Sequence, residues 1–386
     1  MNGLYFDNAA TTPLNKGAME AIQASFELFG NPSSVHGEGR KAQKILRDAR
    51  TAVAKVLGAK PHEILFTSGG SESNNMAIRQ GVKRNSHLGR HMITSQIEHP
   101  SVLNVMKHLE KKGFEITYLP VDELGNISVE DFENAYREDT ILVSLMYVNN
   151  EIGAILPIQE IGERLRNTQT LFHVDAVQAF LHEKVVPHEL GIDYLSISGH
   201  KVNGPKGVGV LFVNDETPLE PLILGGEQEE KRRAGTENIL GIAGLKGAIE
   251  NHDLEREVRH IKRLERGVLD ALTQSTIRFS MNGDPEKKSP HVLNLHFPKV
   301  NNNLLLMRLD LKQVMISTGS ACTAGNIEPS HVLEAMFGKG EERIKESVRI
   351  SFGIQNTMDE VEALMSILIP IVQEIQNKHE GEKHGI

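Results

Sequence analysis

Four stretches of this sequence carry residue types that do chemistry, at spacings that could bring them together. Ser68-Gly69-Gly70-Ser71 follows an apolar run and opens a helical pattern. Backbone N–H groups at a helix N-terminus attract anions; the glycines let an anion approach, and Ser71 adds a hydroxyl. His173-Val174-Asp175-Ala176-Val177-Gln178 puts a carboxylate at the end of a second apolar run. Ser196-Ile197-Ser198-Gly199-His200-Lys201 ends a third, and a Gly/Pro turn follows it. A lysine held there can be desolvated and form a Schiff base. Cys322, the only cysteine, lies in Ser317-Thr318-Gly319-Ser320-Ala321-Cys322-Thr323-Ala324-Gly325, among small residues that could not wall it in. A thiolate nucleophile needs such access.

Taken singly, each stretch has a plainer use. Glycine and serine suit any strand-to-helix turn, Asp175 could cap a helix, and Lys201 could be a solvated loop lysine. A lone cysteine is most often a small hydrophobe. The elements that would position them decide the matter. Short apolar runs at residues 64–67, 91–95, 115–119, 141–147, 171–174, 194–198 and 208–213 read as strands. Helical patterns at 15–28, 39–57, from about 74, 101–112, 129–135, 158–166 and a short one at 176–180 lie among them. Strands that lack period-2 alternation and are spaced by helices predict a mostly parallel sheet covered on both faces. Ligands of such sheets bind at the carboxyl ends of the strands.

Residues 1–14 read as an irregular arm, and residues 240–275 as predominantly helical. Strands at 278–280, 292–296 and 313–316, with helices at 302–310 and 358–378, then predict an α+β region. The fold class expected is therefore α/β, with a large, mostly parallel domain and a smaller C-terminal α+β domain. The division falls at 15–257 for the large domain, with 1–14 and 258–386 forming the small one that carries the Cys322 loop.

An anion cradle, a carboxylate and a lysine at the strand ends of one sheet match the needs of pyridoxal 5'-phosphate. The carboxylate keeps the pyridine nitrogen protonated so that the ring acts as an electron sink, and the lysine holds the aldehyde.

Over nearly its whole length the sequence resembles the cysteine desulfurases of the NifS/IscS type, in the class V branch of fold-type-I pyridoxal-phosphate enzymes. The resemblance rests on DNAATTP near the start, then GNPSSVHGEG, FTSGGSESNN, EHPSV, VNNEIG, HVDAVQ, SISGHKVNGPKG, RRAGTEN and STGSACTAG, and VRISFG near the end. It implies a role for each matched position. Lys201 would carry the cofactor, while Asp175 and Gln178 would contact its pyridine nitrogen and ring oxygen. His99 would stack on the ring and relay protons, and Asn150 would lie beside the ring oxygen and the substrate. Gly70, Ser71, Ser198 and His200 would bind the phosphate, with Thr236 reaching it from the other subunit of a homodimer. Arg349 would clamp the substrate carboxylate, a task suited to a guanidinium fork. Cys322 would take sulfur from L-cysteine as a persulfide, release L-alanine, and hand the sulfur to an acceptor, an iron–sulfur scaffold or a tRNA-thiolation enzyme. About six residues of extended chain reach roughly 20 Å, enough for such a loop to visit both cofactor and acceptor.

Departures from the family pattern are small. Ser71 stands where Thr is common, Thr318 where Ser or Ala is usual, and GGEQEEKRRAGTEN has Glu and Lys where a Gly-Arg pair is common. A β-elimination lyase or aminotransferase of the same branch, with Cys322 incidental, is the other enzyme reading the residues leave open.

Composition bounds the rest. A net charge of −9 argues against general nucleic-acid binding. One cysteine excludes an internal disulfide framework, and no HExxH or Cys/His cluster points to a metal. No apolar run approaches the roughly 20 residues of a membrane span. The N-terminus lacks the basic-then-apolar pattern of a secretory signal, so a reducing, cytoplasmic location is expected.

Overall fold

The computed structural model describes residues 3–250, 252–319, 322–323, 326–327 and 329–381. The chain opens with β1 (Leu4–Tyr5), α1 (Lys16–Ala24) and α2 (Gly37–Leu57). The Asn15 side chain accepts from the Ala18 N–H to start α1, and Gly58 ends α2 in the left-handed region at φ 61°. There follow β2 (Ile64–Thr67), α3 (Gly70–Asn85), β3 (His91–Ser95), α4 (Pro100–Glu110), β4 (Glu115–Leu119), α5 (Val129–Ala135), β5 (Thr140–Met146), α6 (Ile158–Leu165), β6 (Leu171–Asp175), β7 (Tyr194–Ser198) and β8 (Gly209–Val213).

The seven strands β2 to β8 form one sheet in the order β2-β8-β7-β6-β5-β3-β4. β8 runs antiparallel to both neighbours, and the other pairings are parallel. Residues of β5, β6 and β7 are buried throughout, as their unbroken apolar runs require of a sheet covered on both faces. After β3 the chain moves outward to β4, whereas after β5 it turns the other way to β6. The crevice between β3 and β5 is therefore the topological switch point, where such sheets hold their ligands.

The second part comprises α7 (Ile239–Ile249), α8 (Leu254–Gln274), β9 (Ser280–Asn282), β10 (Val292–His296), α9 (Asn302–Asp310), β11 (Val314–Met315), β12 (Cys322–Thr323), β13 (Asn326–Ile327), α10 (His331–Phe337), α11 (Glu342–Lys345), β14 (Ser347–Ser351) and α12 (Met358–Gly381). β14, β10 and β9 form an antiparallel sheet, and β1 pairs in parallel with β11. β12 and β13 pair antiparallel, with Cys322 opposite Ile327.

One apolar core gathers Phe6 with Ile261, Leu264, Leu295, Val348 and Leu368, beneath the small sheet. The cores about the large sheet draw mainly on residues before α8, but also bury Val332, Leu333 and Met336 of α10.

Several elements differ from the sequence reading. The N-terminal arm contributes β1 to the second part instead of remaining irregular. α3 starts at Gly70, not near residue 74, so its first turn includes Gly70 and Ser71. Residues 176–180 form successive turns, not a helix, and the left-handed Leu181 at φ 66° stops any helical continuation. The region 240–275 is two helices, parted where Asp253 caps α8 by accepting from the Arg256 N–H. β14 escaped the reading altogether.

Phe6 is fully buried and meets Phe352 edge-on, with ring centroids 6.0 Å apart. Phe6→Ala should lower unfolding free energy by about 3–5 kcal/mol. A thermal or urea midpoint like that of the unaltered protein would show that the arm is not anchored there.

Candidate active site

The loops after β2, β3, β5, β6 and β7 converge on a cavity of about 430 Å³, which is closed on its other side by Asp7, Ala9, Ala10, Ser317, Gly319 and Arg349. Lys201 enters at the end of a single 3-10 turn, Gly199–Lys201, directly after β7. Its Nζ donates to the carbonyls of Ala9 at 2.6 Å and Ala10 at 2.8 Å. Burial, reinforced by the Arg349 guanidinium, brings the amine pKa down to about 8, against the opposing pull of Asp7 and Asp175. Beside it His200 is held neutral, its pKa lowered to about 4 by burial and by the charges of Lys201 and Lys206.

Asp175 ends β6 with both carboxylate oxygens engaged: Oδ1 accepts from the Val177 N–H at 3.0 Å, and Oδ2 from Asn74 Nδ2 at 2.7 Å. Asn74 lies one helical turn beyond Gly70 on α3, and its Nδ2 also donates to Ser101 Oγ at 2.8 Å. Ser101 in turn lies 2.7 Å from His99 Nδ1. His99 caps α4, with Nδ1 accepting from the Ser101 N–H at 3.1 Å. An acceptor nitrogen carries no proton, so the neutral ring has its hydrogen on Nε2. Burial and the nearby Lys201 and His331 charges lower the His99 pKa, while Asp175 opposes them.

Arg349 projects from β14, itself buried. Its Nη2 lies 2.7 Å from Asp7 Oδ1, and Nη1 donates to the Asn150 carbonyl at 2.8 Å. Its Nε is buried without a partner. Beneath the backbone of residues 317–319 sits Glu151, buried and with its pKa raised by burial. Its Oε2 accepts from Ser330 Oγ, and a Cβ placed on Gly319 would come 3.0 Å from that same oxygen.

Of the residues expected from the sequence, Gly70, Ser71, His99, Asn150, Asp175, Gln178, Ser198, His200, Lys201 and Arg349 all line this one cavity. Thr236 does not; it is exposed on the loop before α7. The backbone of Cys322 is placed in β12, and its side chain lies outside the described residues. The sequence reading gave no role to Asp7, the Ala9 and Ala10 carbonyls, Asn74 or Ser101. The position of Asn74, four residues after Gly70 on one helix face, was the available signal. A larger, open cleft of about 880 Å³ near the start of β6, lined in part by Lys60, Arg84 and Arg166, contains none of the expected residues.

The aminotransferase class-V family matches residues 4–364. The chain belongs to that family, in its NifS/IscS-type cysteine desulfurase branch. A Bacillus subtilis (strain 168) protein named putative cysteine desulfurase IscS 1 is 47% identical over 97% of this chain and 100% of its own length. A Methanosarcina thermophila protein named cysteine desulfurase IscS is 44% identical, over 97% of this chain and 93% of its own. Among solved structures, a NifS-like protein superposes with a TM-score of 0.89 at 35% identity, covering 96% of this chain and 99% of its own. A structure described as SspA in complex with cysteine gives a TM-score of 0.81 at 38% identity, covering 92% and 99%.

The family's cofactor is pyridoxal phosphate, and the residues present fit it. Gly70 lets the N-terminus of α3 pack closely against Val177, where a Cβ would lie 2.7 Å from Cγ2. Hydroxyls from Ser71 and Ser198 flank that end, a carboxylate stands at the end of β6, and a desolvated amine stands at the end of β7.

An amine with a pKa near 8 is a nucleophile at neutral pH only in part. The rate at which the cofactor-free protein takes up pyridoxal phosphate, followed by absorbance, should rise with pH and reach half its maximum near 8. Arg349→Gln removes a positive neighbour and should move that midpoint upward. A midpoint near 10.5, the ordinary lysine value, would contradict the burial argument.

Proposed function

We propose that the chain converts L-cysteine to L-alanine, with the sulfur held as a persulfide on Cys322 and passed to a protein acceptor. One observation carries this reading. A desolvated lysine, a carboxylate, a histidine and a half-satisfied arginine face one cavity, whose rim, at Ser317 and Gly319, begins the segment that carries Cys322.

Bound pyridoxal phosphate supplies an electron sink for the charge left when a proton leaves the substrate Cα. The chain's own residues do the rest. Gly70, Ser71, Ser198 and His200 hold the phosphate at the N-terminus of α3, where the helix dipole favours an anion. Asp175 would meet the ring nitrogen of the bound group, while Gln178 and Asn150 would serve its ring oxygen. Arg349 takes the substrate carboxylate, its unpartnered Nε being the free donor. His99, its hydrogen on Nε2, would stack on the ring and move protons between substrate and solvent. The Cys322 thiolate attacks the substrate sulfur. An S–S bond forms, the substrate Cβ–S bond breaks, and the carbon skeleton keeps the electron pair and takes a proton to leave as alanine.

The acceptor in this reading is an iron–sulfur scaffold or a tRNA-thiolation enzyme, and the location is the cytoplasm. Among the described residues no helix is long and apolar enough to cross a membrane. We also take the chain to act as two bodies, 15–257 against 1–14 with 258–386, in keeping with the core around Phe6 that stands apart from those of the large sheet.

The assembly proposed is a homodimer in which Thr236 reaches the partner's phosphate site. In support, Thr236 is exposed away from its own cavity, and Phe29 and Val35 are 82% and 90% exposed in the turn between α1 and α2. Light scattering should give twice the 42.8 kDa chain mass. Phe29→Asp with Val35→Asp should yield a monomer that binds the cofactor weakly; a monomeric unaltered protein would end the cross-subunit role.

Cys322→Ala should bind the cofactor and still change its absorbance when L-cysteine is added, yet form neither alanine nor sulfide above background. Pyruvate in place of alanine from the unaltered protein would instead mark a β-elimination lyase. Arg349→Lys, losing the fork, should raise KM for cysteine roughly ten- to a hundredfold, the worth of one or two charge-assisted hydrogen bonds.

A further inference from the structure

Behind Gln178 lies a chain of buried polar groups, ending at the half-buried Glu183, that the reaction described above does not use. Gln178 Nε2 donates to the Ala9 carbonyl at 2.9 Å, and its Oε1 lies 3.1 Å from His291 Nε2. A carbonyl can only accept, so the Ala9 contact fixes which end of the carboxamide is nitrogen. The oxygen end then needs a hydrogen from His291. His291 is buried, and burial, with positive groups beyond it, drives its pKa well below the ordinary value. The ring is therefore neutral, with its one hydrogen on Nε2 and a bare lone pair on Nδ1. Nδ1 lies 3.0 Å from Ser289 Oγ, which must donate to it. Ser289 Oγ is also 2.6 Å from Glu183 Oε1. With its only hydrogen committed to His291, the serine can only accept there, so the hydrogen in that contact belongs to Glu183. Burial raises the Glu183 pKa, in the direction this requires.

We propose that Glu183, Ser289 and His291 form a one-way hydrogen-bond relay, with the neutral Glu183 carboxyl as terminal donor, that holds the Gln178 N–H toward the cavity for the cofactor's ring oxygen. The inference rests on the reading of Gln178 given above. The three are positioning residues: they act on the cofactor through Gln178. The turn segment after β6 supplies Gln178 and Glu183, and the strand-entry segment before β10 supplies Ser289 and His291, so the relay also locks the two sheets in register at the site. The His182 ring stacks on His291 at 4.0 Å and 8°, which fixes the plane in which Nε2 points. His182 is itself neutral, its pKa lowered to about 4 chiefly by burial.

Other charged or titratable groups face this chain. Lys262 of α8 favours the Glu183 carboxylate, and Tyr147 stands near Glu183 from the end of β5. The His252–Glu257 pair lies behind His182, and the Lys288–Glu265 pair lies beside Ser289. As pH rises through the elevated Glu183 pKa, the new carboxylate claims the Ser289 hydrogen, and His291 loses the donor that fixes its tautomer.

The test is the pH titration of the visible absorbance of the cofactor-loaded protein, with the cofactor dissociation constant measured alongside. Glu183→Leu and Ser289→Ala should each move the titration midpoint upward by roughly one unit, the worth of one hydrogen bond to a charged oxygen. The double variant should move it no further, because both changes break one chain. Glu183→Gln, a permanent neutral donor, should keep the unaltered midpoint, and it carries the test if Glu183→Leu does not fold. Gln178→Leu serves as the reference. If it shifts the midpoint while Glu183→Leu and Ser289→Ala do not, the relay is overturned and the role of Gln178 stands. If Gln178→Leu causes no shift, the reading of Gln178 fails and the relay with it. A Glu183→Gln protein that behaves like Glu183→Leu would show that the carboxylate is the working form and would overturn the neutral donor.

Discussion

A lysine amine taken out of water needs acceptors that do not neutralise it, and on this requirement the active-site architecture turns. Lys201 finds them in the Ala9 and Ala10 carbonyls, on the N-terminal arm and about 190 residues away in sequence. Neutral carbonyls bond the amine without supplying the opposite charge that would offset its loss of water, so burial and the Arg349 guanidinium still bring its pKa down. A carboxylate in the same place would have locked the charge on. The nearest acids, Asp7 and Asp175, are occupied elsewhere: Asp7 pairs with Arg349, and Asp175 is held by Asn74 and the Val177 N–H.

The arm therefore carries more than its length suggests. Phe6 is sunk in the core under the small sheet, β1 pairs with β11, and the Ser351 N–H donates to the Phe6 carbonyl at 2.8 Å. From that anchorage the next residues cross to the large sheet, where Thr12 donates to the His200 carbonyl at 2.9 Å and accepts from the Asn203 N–H at 2.8 Å. The arm thus ties β14, with Arg349, to the end of β7, with Lys201. Arg349 and Lys201 are set against each other by a strap that belongs to neither sheet.

What the sequence made legible was whatever local physics fixes. The buried strands of the parallel sheet read clearly because burial on both faces forces unbroken apolar runs, and the polar residues at their ends stood out against them. Asp175 and Lys201 were visible for that reason. Asp7 and Asn74 were not, because a role that depends on a partner 342 or 101 residues away leaves no local pattern. The short helix read at 176–180 failed on the same ground. Its residues have helical propensity, but Gln178 must reach the Ala9 carbonyl and Asp175 must accept from the Val177 N–H, and those long-range and turn contacts outweigh propensity. β14 was missed although VRISFG was recognised as a motif, because Ser347, Arg349 and Ser351 interrupt its apolar pattern. The run alternates polar with apolar residues as a half-exposed strand does, yet each of its polar residues is buried and bonded.

The two ends of the segment that carries Cys322 are fixed by one buried side chain. Both feet of the segment stand on Glu151. At one end Gly319, at φ 90°, passes so close to the Glu151 side chain that no Cβ could fit without displacing it. At the other, Ser330 donates to Glu151 Oε2 while its own Oγ caps α10 by accepting from the Leu333 N–H at 3.0 Å. The His331 ring reaches the Glu98 carbonyl at 2.9 Å, one residue from His99. Glu151 itself is fixed from the large sheet's side, through the Asn149 side chain that accepts its N–H at 2.8 Å, and it lies next to Asn150, whose carbonyl holds Arg349. One buried carboxylate thus sets where the segment leaves and rejoins the body, and the same turn of chain sets the arginine. The geometry of the feet is thereby shared with Arg349.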